Sequence, residues 1–217
     1  MAARVLTVAQ QKGGAGKTTL AAHLAVAWSL KGLKVAIVDI DPQASLTQWD
    51  RMRGERARER GESGLAALHV VSVAGWRVTS EVDRLKRDYD VVVIDSPPHM
   101  ETEAKIAVRA ADLVVVPVQP SPMDLWATQG TLDLVKKEQR SALIVLNRVP
   151  ARANLTDQMR QRIAELGQRC AGTAIGSRVA LASSLLEGRG IGEAAPSSTA
   201  GLEIAALADE ILATAQA

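Results

Sequence analysis

Two lysines bracket a glycine-rich run close to the N-terminus, Lys12-Gly13-Gly14-Ala15-Gly16-Lys17-Thr18-Thr19. The run follows an apolar stretch, RVLTVA (4–9), and precedes a helical pattern, TTLAAHLAVAWSLKG (18–32), in which Leu20, Leu24, Ala27 and Trp28 share a face and Gly32 marks the stop. A strand, a glycine loop and a helix N-terminus in that order aim backbone N–H groups at one point, where an anion is stabilised. Gly13, Gly14 and Gly16 let the chain wrap closely around phosphate oxygens. Lys17 then neutralises the outer phosphates, and the Thr18 hydroxyl can ligate Mg²⁺. The common phosphate loop, G-x-x-x-x-G-K-[ST], would place glycine at position 11. Here Gln11 stands there and Lys12 is added beside it. One phosphate tail needs one lysine, so the loop alone does not account for the second.

Carboxylates end the apolar runs on the same side. Asp39 and Asp41 lie in VDIDPQ and Asp95 in VVVIDSPP. A carboxylate at such a strand end can hold Mg²⁺ through a water or orient an attacking water, the two acidic tasks of phosphoryl transfer. Each alone could equally be a helix cap or turn residue; three together suggest a shared site. Asp124, in QPSPMDLWATQG (119–130), reads from its place after two prolines as a candidate N-cap of the next helix. Asn147, in VLNRVP (145–150), offers a donor and an acceptor that suit an adenine edge.

The elements that must position these groups are legible from periodicity. RVLTVA, KVAIVD (34–39), LHVVSV (68–73), DVVVID (90–95), DLVVVPV (112–118) and ALIVLN (142–147) are β-branched runs without alternation, as expected of strands covered on both faces. Helical segments separate them, among them MDLWATQGTLDLVKKEQ, with Leu125, Leu132 and Val135 aligned. The expectation is a doubly wound, mostly parallel α/β sheet in one domain spanning 1–217, with ligands beyond the carboxyl ends of the strands. DRMRGERARERGESG (50–64) reads as an exposed, solvated helix end and loop, and STAGLEIAALADEILATAQA as a closing amphipathic helix.

Composition narrows the function classes. The formal charge is +2, so any nucleic-acid surface must be local. One such cluster stands out: Arg148, Arg152, Arg160, Arg162, Arg169, Arg178 and Arg189, seven arginines against three acids, Asp157, Glu165 and Glu187, a net of +4. An ordinary basic surface is the alternative. A single cysteine, Cys170, rules out an internal disulfide and fits a reducing cytoplasm. The opening MAARVLTVAQQKGG carries too short an apolar run for a signal core, and no segment reaches about 18 apolar residues.

The KGGAGKT signature, Lys12 to Thr18, resembles that of the deviant Walker A ATPases of the ParA and MinD group, and the likeness extends over essentially the whole chain. VDIDPQ looks like that group's Walker A′ motif and VVVIDSPP like its Walker B. The resemblance implies a P-loop NTPase fold, ATP and Mg²⁺ as cofactors, nucleotide contacts along Lys12–Thr19, and a homodimer in the ATP state. In it Lys12 would reach the phosphates of the partner subunit, Asp41 would activate the hydrolytic water, Asp39 would support the metal's surroundings, and Asp95 would hold Mg²⁺ through a water. It further implies a nucleotide-adjacent place for Asp124, a base contact for Asn147, slow intrinsic turnover, non-specific binding to nucleoid DNA, and stimulation by a ParB-like adaptor. The short lead before the first strand leaves no room for an operator-reading helix-turn-helix. Two rivals share the fold: a MinD-type membrane cycler, disfavoured because GLEIAALADEILATAQA has no basic residue, and a dethiobiotin-synthetase-like metabolic enzyme.

Overall fold

A computed structural model describes residues 2–98, 101–150 and 154–216. Six strands form one parallel sheet: β1 Arg4–Val8, β2 Val35–Asp39, β3 Leu68–Ser72, β4 Val91–Asp95, β5 Leu113–Val118 and β6 Ser141–Leu146, in the order β3-β2-β4-β1-β5-β6. All six expected strands are present, each within a residue of its expected start and end. Cover on both faces explains the apolar character of β2, β4 and β5, every residue of which is buried, whereas the edge strand β3 is half-buried to exposed, so the expected cover on both faces does not hold there.

One face is covered by α1 Lys17–Leu30, α2 Ser45–Arg60, α7 Val179–Leu186, α8 Ile191–Ala194 and α9 Thr199–Gln216, whose apolar residues form one cluster with the sheet. The other carries α3 Val78–Leu85, α4 Glu101–Ala110, α5 Pro122–Lys137 and α6 Asn154–Glu165. β1 is central, so the loop after it opens at the middle of the sheet's carboxyl edge, where the chain's winding direction reverses.

Two expectations need correction. α1 is not amphipathic: every residue from Leu20 to Trp28 is buried, because α7, α8 and α9 cover its outer side. Trp28 donates its indole N–H to Ala208 O of α9 at 3.0 Å. The segment 50–64 is not uniformly solvated either. α2 runs through Gly54 to Arg60, stops at Gly61 in the left-handed region (φ 61°), and buries Leu46, Trp49 and Arg53. Arg53, 5% exposed, meets Glu193 of α8, and its guanidinium also donates to Gly188 O and Ala66 O. The closing helix α9 is as expected, with Ile204, Leu207, Ala208 and Ile211 turned inward.

Candidate phosphate-binding site

The loop from Lys12 to Gly16 leaves β1 and enters α1 through Gly16, whose φ of 90° is in the left-handed region that favours glycine. A second constraint acts there: a Cβ on Gly16 would come within 2.7 Å of Asn147 Nδ2. No side chain caps α1, so its first-turn N–H groups stay open to an anion. Lys17, on that first turn, is buried at 7% exposure. Burial lowers its pKa, while Asp95 and Asp41 act in the opposite direction. A buried ammonium without a contacting carboxylate is costly, and a phosphate in the loop would offset that cost.

The three strand-end carboxylates do converge. Asp39 and Asp95 are register partners on β2 and β4, and Asp95 is also paired with Val8, the last residue of β1. Their situations differ. Asp39, fully buried, is fully engaged: Oδ1 accepts from Asp41 N at 3.2 Å, and Oδ2 from Thr47 N at 2.9 Å and Thr47 Oγ1 at 2.8 Å. It clasps the loop that carries Asp41 onto the start of α2. Asp95, 1% exposed, has an Oδ1 with no hydrogen-bond partner. Burial pushes its carboxyl up to about 7; the Thr18 hydroxyl pulls down, Asp39 adds to the rise and Lys17 counters it. Asp41 lines the cavity beside Gly14, Gly16, Lys17, Thr18, Thr19, Pro98 and Arg148, a space of about 230 Å³. At rest its carboxylate accepts from Gln43 N at 2.9 Å.

An orphaned, buried carboxylate oxygen beside a threonine hydroxyl suits a hard cation whose remaining ligands are phosphate oxygens and waters. Among the described residues no cluster of three His, Cys, Asp or Glu could hold a metal alone, so the donor set fits Mg²⁺ brought in with a phosphate tail.

Lys12 points elsewhere. Its Nζ lies 2.8 Å from Asp124 Oδ1 on α5, with the lysine side chain 38% exposed. Asp124 is therefore near the loop, yet it is not the N-cap of α5: that is Ser121, whose Oγ accepts from Asp124 N at 3.1 Å and donates to Asp124 Oδ2 at 2.5 Å. The stretch leading to Lys12 is bolted to the same helix. Gln10, 3% exposed, donates to Thr128 Oγ1 at 2.9 Å and accepts from Thr131 Oγ1 at 3.1 Å, while Gln11 N donates to Thr131 Oγ1 at 3.1 Å. Sequence reasoning missed Gln10, Thr47, Ser121, Thr128 and Thr131, because buried polar side chains in these positions differ in no way from surface ones until the partner helix is placed.

Asn147 sits at the end of β6 as expected, with its amide committed to the loop: Nδ2 donates to Ala15 O at 2.8 Å and Oδ1 accepts from Arg148 N at 3.0 Å. The arginine cluster divides. Arg148 lines the cavity itself. Arg160 donates to Ala171 O and Gly172 O, Arg178 pairs with Glu203 at 2.7 Å, and Arg189 pairs with Glu62 at 2.5 Å. Arg162 and Arg169 are exposed, and Arg152 lies outside the described residues.

Residues 6–191 match the family described as the CobQ/CobB/MinD/ParA nucleotide binding domain. The chain belongs to this family. Among ParA/MinD relatives it is similar to the chromosome-partitioning ATPase Soj of Thermus thermophilus, 30% identical with 98% of this chain and 97% of that one covered. It is 29% identical to the maintenance of carboxysome distribution protein A of Halothiobacillus neapolitanus, with 84% of each covered. Among solved structures, the septum site-determining protein MinD of Pyrococcus horikoshii, complexed with Mg-ADP, superposes with a TM-score of 0.76 over 99% of both chains at 22% identity, a likeness of fold. The family match and the likeness of fold agree with the all-parallel sheet described above.

Proposed function

We propose that this protein is a Mg²⁺-dependent ATPase of the cargo-positioning kind, which dimerises around ATP, binds nucleoid DNA without sequence preference, and is released when a ParB-like partner stimulates hydrolysis. The observation that carries this reading is the placement of Lys12. Lys17 already occupies the phosphate loop from within, whereas Lys12 is held outside it by Asp124 and partly exposed. A cation so placed serves the phosphates of a facing copy, where two triphosphates would otherwise repel. The cavity of about 230 Å³ is below the roughly 300–1,000 Å³ of closed ligand pockets, as expected of a half-site completed by a second copy. The relatives Soj and the carboxysome distribution protein support partition and positioning; the Mg-ADP complex of MinD supports the cofactors.

In this reading the open N–H groups of α1 and Lys17 bind the phosphate tail, and Asp39 holds the loop of Asp41 in register through Thr47. Asp41 leaves its turn with Gln43 to orient the water that attacks the γ-phosphorus, the bridging oxygen departing with the diphosphate. Lys17 and the partner subunit's Lys12 stabilise the charge that develops. Thr18 and, through a water, Asp95 would hold Mg²⁺, which would supply Lewis-acid neutralisation of the phosphate oxygens. With no stronger base than Asp41, turnover is slow, as befits a timer. A MinD-type membrane cycler is the less favoured reading, since α9 packs its apolar face in one cluster with α1.

Asp41→Ala tests the assignment. With ATP this variant is expected to stay dimeric and DNA-bound in sedimentation and filter-binding assays, because binding survives while hydrolysis stops. A variant that stays monomeric with ATP removes the role given to Asp41. Rapid ATP consumption by the wild type without DNA or partner removes the positioning reading altogether.

A further inference from the structure

Gly16 joins the phosphate loop to α1 with a φ of 90°. Turning over the peptide between Ala15 and Gly16 would carry that φ to about −90°, and glycine adopts either sign about as readily. The residue that lets the loop curl therefore does not fix which way this peptide faces. Its direction decides the chemistry of the site, because a planar trans peptide points its C=O and its N–H in opposite directions. One orientation turns the Gly16 N–H toward an anion in the loop. The other presents the Ala15 carbonyl oxygen, whose partial negative charge repels it.

Asn147 makes that choice. Its Nδ2 donates to Ala15 O at 2.8 Å while its Oδ1 accepts from Arg148 N at 3.0 Å, and only one orientation of the amide serves both. A Cβ on Gly16 would meet Nδ2 at 2.7 Å, so the amide lies directly against the peptide it holds. Asn147 is itself anchored: it is 6% exposed at the end of β6, and its backbone N–H donates to Val118 O of β5 at 2.9 Å. Gly16 lines the phosphate cavity and Asn147 does not, so the Ala15 carbonyl is drawn away from the side where a phosphate would sit. We propose, on the phosphate-binding role given to the loop above, that Asn147 is a positioning residue that locks the Ala15–Gly16 peptide with its N–H toward the phosphate tail. Its work is then blind to the base. The adenine contact expected from the sequence would separate ATP from GTP; a locked peptide acts alike on both, and on a phosphate tail that carries no base.

The test is Asn147→Asp in the full chain. This change keeps the size of the side chain and the oxygen that accepts from Arg148 N, and puts a second acceptor where the donor faced Ala15 O. Affinities for ATP, GTP and inorganic tripolyphosphate, each with Mg²⁺ and measured by calorimetry, are expected to fall by a common factor of about 10 to 100. Asn147→Ala adds no charge near the phosphates, and is expected to lose about 10-fold, again by a common factor. It decides the matter where the aspartate variant does not fold. Thermal unfolding without nucleotide separates positioning from stability, since a merely structural role lowers Tm and leaves the affinity of the folded protein as it was. A loss confined to ATP makes Asn147 a base contact, and unchanged affinity for all three makes the Ala15 bond idle; either result overturns the lock alone. Wild-type protein that binds none of the three overturns the phosphate site, and the lock with it.

Discussion

Asp95 carries the sharpest consequence at the scale of single residues. Its carboxyl, pushed up to about 7 mainly by burial, is largely protonated below neutrality and charged above it. If Asp95 holds Mg²⁺ through a water, as proposed, the cation favours the charged form, and cation and proton compete for one group. Mg²⁺-dependent nucleotide affinity is therefore expected to rise about 10-fold between pH 6 and 8 and to release a proton near pH 7. Calorimetry in buffers of different ionisation enthalpy would detect that proton. Asp95→Asn should weaken Mg²⁺-dependent binding and flatten the pH profile; an unchanged profile would mean that Asp95 is not coupled to the metal. Asp39 has no comparable freedom, since Thr47 and Asp41 N already occupy its oxygens. Both aspartates are legible as strand-end residues in the sequence, but only the position of Thr47 on α2 separates the clasped carboxylate from the one with an unpartnered oxygen.

The same lesson recurs among the elements. Strands and phosphate loop were readable because their signals are local: β-branched runs, glycines, and a lysine followed by threonines. The link between α2 and α8 was not. Arg53 sits in a run with Arg51, Arg56, Arg58 and Arg60, and nothing in its chemistry distinguishes it. What distinguishes it is register, since Leu46, Trp49 and Arg53 follow a helical spacing of three and four that puts the arginine on the inner face. There it meets Glu193, with both side chains no more than 6% exposed. The carboxylate also accepts from Ala66 N and Gly190 N, and burial, which would raise its pKa, is outweighed by these partners. Removing one partner strands a buried charge. Arg53→Met is expected to cost about 3–5 kcal/mol in denaturant unfolding, and Arg53→Met/Glu193→Leu distinctly less than the sum of the single changes. Additive losses would mean that the two groups do not act as a pair. Because α2 begins at the Asp41 loop, the single variant should also slow nucleotide hydrolysis, a change that stability alone would not produce under fully folded conditions.

On the scale of the whole molecule, the proposed DNA binding raises the question of which surface would carry it. Chain order gathered seven arginines into one cluster; the fold distributes them. α6, with Arg160 and Arg162, packs on the β5–β6 side of the sheet, and Arg169 adjoins the β6 edge through Ile144 N donating to its carbonyl. Arg178 and Arg189 flank α7 on the opposite face, each already paired with a glutamate. A guanidinium held by a carboxylate releases little counterion charge, because it must first give up its partner. The exposed pair, Arg162 and Arg169, has no carboxylate partner among the described residues and carries no such cost. If the β6 edge is the DNA-facing surface, Arg162→Ala and Arg169→Ala should each reduce the slope of log affinity against log salt by about one for every phosphate left without its arginine, uniformly across DNA sequences. Arg178→Ala should leave that slope nearly unchanged and act on stability instead. ATP-locked protein assayed on random-sequence duplex between about 50 and 200 mM salt gives the reading. It is the slope that decides, because a general loss of folding lowers affinity without changing the number of ions released. A slope that responds to Arg178→Ala and not to Arg162→Ala would move the DNA surface to the face that carries α7.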